Sequence, residues 1–113
     1  MNNVKLWKEG EELACQYLKK HGYQILGRNY KNKVGEIDIL ARPKGEKDTL
    51  VVVEVKAKSS DEYGRPIEMI TPHKRKKLEQ VVSVYLMENN LDNYVRFDAI
   101  EVLDGDINHI EGI

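Results

Sequence analysis

Between Leu6 and Leu18, apolar or small residues recur at Leu6, Gly10, Leu13, Ala14, Tyr17 and Leu18, with charged residues filling the gaps. That is the period of an amphipathic helix, and it predicts one over about residues 4–20. His21-Gly22 follows the basic pair Lys19-Lys20, a common way for a helix to stop. Tyr23 to Leu26 is short and mixed, and reads either as the start of a strand or as an extended connection. Glu36 to Leu40 alternates and Leu50 to Val55 is β-branched, so both are expected as strands. The polar segment Arg42 to Asp48 between them holds Pro43 and Gly45 and suits a hairpin, which makes the two strands antiparallel neighbours. After Lys58 the run SSDEYGRP has no periodicity and reads as a loop. Thr71-Pro72 is a helix entry, with Thr as N-cap and Pro in the first turn, followed by Leu78, Val81, Val82, Tyr85 and Leu86 at helical spacing up to about Asn89-Asn90. Val95, Phe97 and Ala99 alternate in a further strand to about Leu103, and the acidic residues 104–113 suit a short edge strand.

One domain spanning 1–113 is expected for a chain of 113 residues, with no internal repeat or linker. The mixture of 41% hydrophobic and 33% charged residues excludes intrinsic disorder. A net charge of −1 argues against polyanion binding driven by bulk charge, but the distribution is uneven. Residues 1–60 hold 12 Lys/Arg against 8 Asp/Glu, whereas residues 61–113 hold 6 against 11, so a local basic surface belongs to the first half. The single cysteine, Cys15, precludes an intrachain disulfide and points to a reducing cytoplasm. The charged start MNNVKLWKEGEELA does not resemble a signal peptide, and no run is apolar enough for a membrane span.

Strand side chains repeat their face every second residue. Glu54 and Lys56 therefore share a face with Val52 and Lys58, while Val51, Val53, Val55 and Ala57 form an apolar face. Asp38 shares its face with Glu36 and Leu40, opposite Ile37 and Ile39. If the apolar faces of both strands meet one core layer, Asp38 joins Glu54 and Lys56 in a cluster of two carboxylates and an amine. Two carboxylates suit Mg²⁺ or Mn²⁺, which keep waters and complete their shell with phosphate oxygens, whereas His21, His73 and His109 lack ligand-like spacing. With a neighbouring lysine, this is a constellation for phosphodiester hydrolysis. On spacing alone, a solvated Glu-x-Lys pair with an aspartate across the strands is the commoner arrangement. Against it, the Leu50 to Val55 run is too apolar for an edge strand, and an uncompensated Glu on a central one would cost several kcal/mol. Gly35, directly before Glu36, leaves room for a ligand but serves equally well in a plain turn.

GEELACQYL at 10–18, GYQILGRNY at 22–30, GEIDIL at 35–40, VEVKAK at 53–58, TPHKRKKL at 71–78 and RFDAI at 96–100 resemble, in order, the YraN family of predicted nucleases in the PD-(D/E)XK superfamily, akin to archaeal Holliday junction resolvases. The resemblance implies an α/β fold with a restriction-endonuclease-like core, a mixed β-sheet flanked by helices in α-β-β-β-α-β order. It implies that Asp38 and Glu54 bind Mg²⁺ or Mn²⁺, that Lys56 assists the attacking water, and that an acidic residue of the first helix joins them. Of Glu9, Glu11 and Glu12, helical spacing puts Glu11 beside Ala14 and Leu18 and turns Glu12 nearly opposite, so Glu11 is the candidate. Lys58 stands where the family often has a basic residue, and Arg28-Asn29 matches its polar pair. YKNKVG replaces the cysteine or arginine usual near Lys31 to Lys33, which leaves the acidic residues intact.

DNA, branched or otherwise structured, is the implied substrate, and resolvase-like relatives make a homodimer a reasonable arrangement for paired cuts. Contacts to phosphate are expected from Arg28, Lys31, Lys33, Lys58, Lys74, Arg75 and Lys77. The KRKK run is also what a wet helix face looks like, although lysines in a first turn oppose the macrodipole and so favour an anionic partner. Tyr30 and Tyr63 are candidates for stacking on bases, with ordinary packing the commoner role. The alternative from a different class is a non-catalytic nucleic-acid-binding or adaptor module that keeps the fold.

Overall fold

The computed structural model describes residues 3–58 and 71–113. An amphipathic helix, α1 (Asn3–Lys20), leads into a meander of three strands, β1 (Tyr23–Lys31), β2 (Glu36–Pro43) and β3 (Thr49–Lys58). A second helix, α2 (Pro72–Glu88), precedes β4 (Tyr94–Leu103) and β5 (Asp106–Ile110). The strands form one sheet in the order β1-β2-β3-β4-β5. It is mixed, because β3 and β4 run parallel while every other neighbouring pair is antiparallel. This is the α/β architecture expected, the α-β-β-β-α-β order followed by the edge strand that the acidic tail suited. Tyr23 to Leu26 opens a nine-residue strand rather than a connection. The expected loop from residue 59, with Tyr63, lies outside the described residues.

Helices cover both faces of the sheet, which is why the central strand is so uniformly apolar. Ala14, Cys15 and Leu18 of α1 pack on Ile39, Ala41, Val51, Val53, Val55, Ile100 and Val102. Leu78, Val81 and Val82 of α2 pack on Ile37, Leu40, Leu50, Val52 and Phe97. The approach of α1 is close at Gly10, where an added Cβ would come 2.5 Å from the Ala57 Cβ. At Gly35 an added Cβ would meet the Val81 Cγ2 at 3.0 Å, so this glycine makes room for α2 rather than for a ligand. The turn before β2 is tied by Asn32, whose Oδ1 accepts from the Val34 and Gly35 N–H groups while its Nδ2 donates to the Val81 carbonyl. Thr71 caps α2 as expected, its Oγ1 accepting from the Lys74 N–H.

On the α1 face a charged group is buried among the apolar side chains. Asp98 of β4 is 0% exposed, yet each of its oxygens has partners. Arg96 donates to both at 2.9 and 3.0 Å, His109 Nε2 lies 2.7 Å away and the Gly112 N–H donates at 3.1 Å. Burial pushes the Asp98 carboxyl up, but the bonds from His109, Arg96 and Gly112 outweigh it and hold the group below its usual range. The network clamps β5 and the residues after it onto β4.

Two outcomes follow. Replacing Gly10 by Ala gains about 1 kcal/mol of helix propensity but overpacks Ala57, typically at 1–3 kcal/mol, so net destabilisation is expected in urea titrations. Asp98→Ala leaves Arg96 without its buried partner and should cost about 3–5 kcal/mol. Because the folded carboxyl is shifted down, its contribution is present above the unfolded value near 3.8 and lost as pH falls through the lower folded value. The gap between wild type and variant should therefore close in acid unfolding curves.

Candidate active site

The paired part of β2 and β3 runs from Ile39↔Val53 to Ala41↔Val51. A continued ladder would bring Asp38 opposite Glu54 and then Ile37 opposite Val55. Instead the Val55 N–H donates to Asp38 Oδ2 at 2.8 Å. A carboxylate thus replaces a backbone carbonyl, β2 splays from β3, and strict alternation ends. Ile39 lies in the α1 layer as the pattern requires, but Ile37 turns into the α2 layer with Leu40. The expectation that Ile37 and Ile39 share a face is corrected by this one substitution of acceptor.

Asp38 is brought beside Glu54, and the two carboxyl groups act on each other. Together with Trp7, Glu36, Val55, Lys56, Ala57, Lys58 and Lys74 they line a cleft of about 450 Å³. Glu54 is only 6% exposed. Its carboxyl is pushed up to about 8, first by burial and then by the adjoining Asp38 carboxylate, against the pull of Lys74 and Lys56. Lys74 Nζ lies 3.5 Å from Glu54 Oε1. Burial and the neighbouring Lys74 ammonium hold Lys56 below the ordinary lysine value, while Glu54 and Asp38 oppose the shift.

Glu11 approaches from α1 and is 2% exposed. Asn29 Nδ2 donates to its Oε1 at 3.1 Å, while its buried Oε2 has no hydrogen-bond partner. Burial raises the Glu11 carboxyl above its usual range, Asn29 opposes this, and nearby Asp38 adds to it. Asn29 adopts a left-handed backbone with φ of 52°. Its place in β1, between Arg28↔Ile39 and Tyr30↔Ile37, sets it opposite Asp38. Helical geometry separated Glu11 from Glu12 correctly, since Glu12 is exposed and pairs with Arg28 at 2.9 Å.

The expected phosphate contacts divide. Lys58 and Lys74 line the cleft, and Lys74 also joins His73, Lys76, Lys77 and Gln80 along a neighbouring groove of about 600 Å³. Lys31 and Lys33 are exposed near the β1–β2 turn. Arg28 is engaged by Glu12, and Arg75 lies over the Phe97 ring, pairs with Glu79 and donates to the Ile113 carbonyl. Tyr30 packs edge-on against Tyr85 and accepts from Asn32, which is a packing role. Pattern reasoning missed Trp7, which is half-buried one turn before Glu11 on the same helical stripe and walls the cleft, and the hold of Asn29 on Glu11.

A divalent ion fits these residues. Two carboxylates are forced together in a buried setting, and a third acid, Glu11, holds an unpartnered oxygen nearby. Among the described residues no three carboxylate, imidazole or thiol groups form a cage by themselves. A pair of carboxylates is the kind of donor set that holds Mg²⁺ together with water and phosphate oxygens. Cys15 is buried in the α1 core.

Fold and cleft together define an α/β protein whose five-stranded mixed sheet gathers paired carboxylates and ammonium groups where β2 and β3 part. A family model described as "Uncharacterised protein family UPF0102" matches residues 10–102, and the chain belongs to that family. A UPF0102 protein of Thermotoga maritima is 48% identical over 107 residues, covering 95% of this chain and 94% of the relative. One from Clostridioides difficile strain 630 is 45% identical over 113 residues, covering 97% and 96%. Another from Persephonella marina is 42% identical over 105 residues, covering 92% and 88%. Among the described residues no helix is long and apolar enough to cross a membrane.

The raised Glu54 carboxyl carries a cost that pH reveals. A group whose folded value lies above the unfolded 4.5 contributes most stability below 4.5 and loses it as pH rises through about 8. Glu54→Gln should therefore match wild type near pH 4 and exceed it by on the order of 2–4 kcal/mol at pH 9, as read from urea midpoints. Equal pH profiles would remove the repulsion argued here.

Proposed function

We propose that this chain is a Mg²⁺- or Mn²⁺-dependent endodeoxyribonuclease of the PD-(D/E)XK superfamily, related to YraN proteins and acting on branched or otherwise structured DNA. The observation that carries this reading is the buried approach of Asp38 to Glu54 with Lys56 beside them. Asp38 and Glu54 would hold the metal, which when bound supplies charge stabilisation at the phosphate and acidifies a coordinated water. Lys56 donates from its ammonium to the attacking water or a non-bridging phosphate oxygen. The Glu54 and Asp38 carboxylates favour its ammonium form, against burial and the nearby Lys74. Glu11 supports Asp38 from α1, and Asn29 fixes which way the Glu11 carboxylate faces.

Lys31, Lys33, Lys58, Lys74 and Lys77 would meet phosphates around the cleft mouth. Such contacts position a duplex without reading its bases. A homodimer fits paired cuts, and a reducing cytoplasm fits a lone buried cysteine. The second reading, a non-catalytic nucleic-acid-binding or adaptor module, is favoured by Arg28 and Arg75 being engaged within the chain itself.

Incubation of the purified protein with Mg²⁺ or Mn²⁺ and duplex, single-stranded or four-way-junction DNA separates the two. Cutting is expected, and Asp38→Ala and Lys56→Ala should each lower it by roughly 10²–10⁴-fold. Metal binding by calorimetry without cutting of any substrate would favour a lapsed enzyme. Absence of both would favour the adaptor.

A further inference from the structure

We propose that Lys74 is the built-in counter-cation of the carboxylate pair: it holds Glu54 while no divalent ion is bound, and moves to a phosphate in the adjoining groove when one binds. This rests on the nuclease reading of the cleft.

Lys74 and Glu54 are unequal partners. The Glu54 side chain is 7% exposed on a central strand, whereas the Lys74 side chain is 35% exposed on the first turn of α2. The lysine backbone is pinned by the Thr71 cap, but its four-carbon stem is free to swing. Of the two charges, then, only the ammonium can leave.

The charge count gives it a reason to leave. Three ammonium groups, Lys56, Lys58 and Lys74, and three carboxylates, Glu36, Asp38 and Glu54, line the cleft, and within it the pair Asp38 and Glu54 is faced by Lys56 and Lys74. A divalent cation on those carboxylates satisfies them alone and repels both lysines. Lys56 stands on β3 within the sheet, whereas Lys74 reaches in from the first turn of α2, so Lys74 yields. It already lines the groove shared with His73, Lys76 and Lys77, where a phosphate would receive it. Metal loading would thereby add one phosphate contact to α2, coupling the ion to the nucleic acid; by linkage the coupling acts in both directions.

The test compares Mn²⁺ affinity, by calorimetry on the full chain, of wild type, Lys74→Met, Lys74→Ala and Lys76→Met. The last removes the same charge from an exposed site on the same helix. Loss of a competitor for Glu54 should tighten Mn²⁺ binding about tenfold in both Lys74 variants and less than about twofold in Lys76→Met. In Mn²⁺, the salt dependence of binding to a cleavage-resistant phosphorothioate duplex should fall by about one contact in Lys74→Met. Equal or weaker Mn²⁺ binding by both Lys74 variants overturns the proposal while leaving the nuclease reading intact, provided wild type binds the ion. If none of the four proteins binds Mn²⁺, the nuclease reading and this inference fall together.

Discussion

The hydrogen bond from the Val55 N–H to the Asp38 carboxylate is the constraint on which the rest of the cleft depends. A bond from a backbone amide to an ionised acceptor contributes roughly 1.5–3 kcal/mol, enough to replace a rung of the ladder. It does three things at once. It ends the pairing of β2 with β3, sends Ile37 into the α2 layer, and fixes one Asp38 oxygen so that the carboxyl stays beside Glu54. An alanine at position 38 would take away both a strand junction and the carboxylate that stands beside Glu54.

Such a site survives only on a strong support. The Leu50 to Val55 stretch of β3 is buried throughout, with α1 on one face and α2 on the other. Burial of Val and Leu side chains at about 1.5–3 kcal/mol each offsets the repulsion between Asp38 and Glu54. The close approach at Gly10 matters for a second reason. It seats α1 low enough on β3 that the next residue, Glu11, is buried near the Asp38 carboxylate.

Much of this was legible in the chain itself. Period 3.6 located α1 and α2, β-branching located β3, and the Thr71-Pro72 pair located the start of α2. The two-residue repeat put Glu54 and Lys56 together, and helical angles chose Glu11 over Glu12. What was not legible depends on departures from regular geometry or on contacts far apart in sequence. Alternation misplaced Ile37 because it cannot foresee a side chain taking over a ladder bond. Tyr23 to Leu26 looked weak because an edge strand with a register shift near Gly27 need not alternate. The role of Gly35 depends on Val81, 46 residues away, and the hold of Asn29 on Glu11 depends on a left-handed residue opposite Asp38.

Burial of an acid does not by itself mark a site, and this sheet carries the comparison within it. Asp98 and Glu54 are near neighbours in register, since Val53 lies opposite Asp98 and Ala99 opposite Glu54, but they face opposite layers. Asp98 is fully enclosed and fully answered, by Arg96, His109 and Gly112, and its carboxyl is held below its usual range. Glu54 is almost as enclosed, yet it is set against another carboxylate and raised to about 8. Glu11 repeats the second condition, with one oxygen bound by Asn29 and the other unanswered. A fold shaped only by stability would answer all three acids in the manner of Asp98. That this fold sets Glu54 against another carboxylate with the half-exposed Lys74 as its counter-charge, and leaves one Glu11 oxygen without a hydrogen bond, on elements that converge near Asp38, separates the cleft from a buried network built for stability alone.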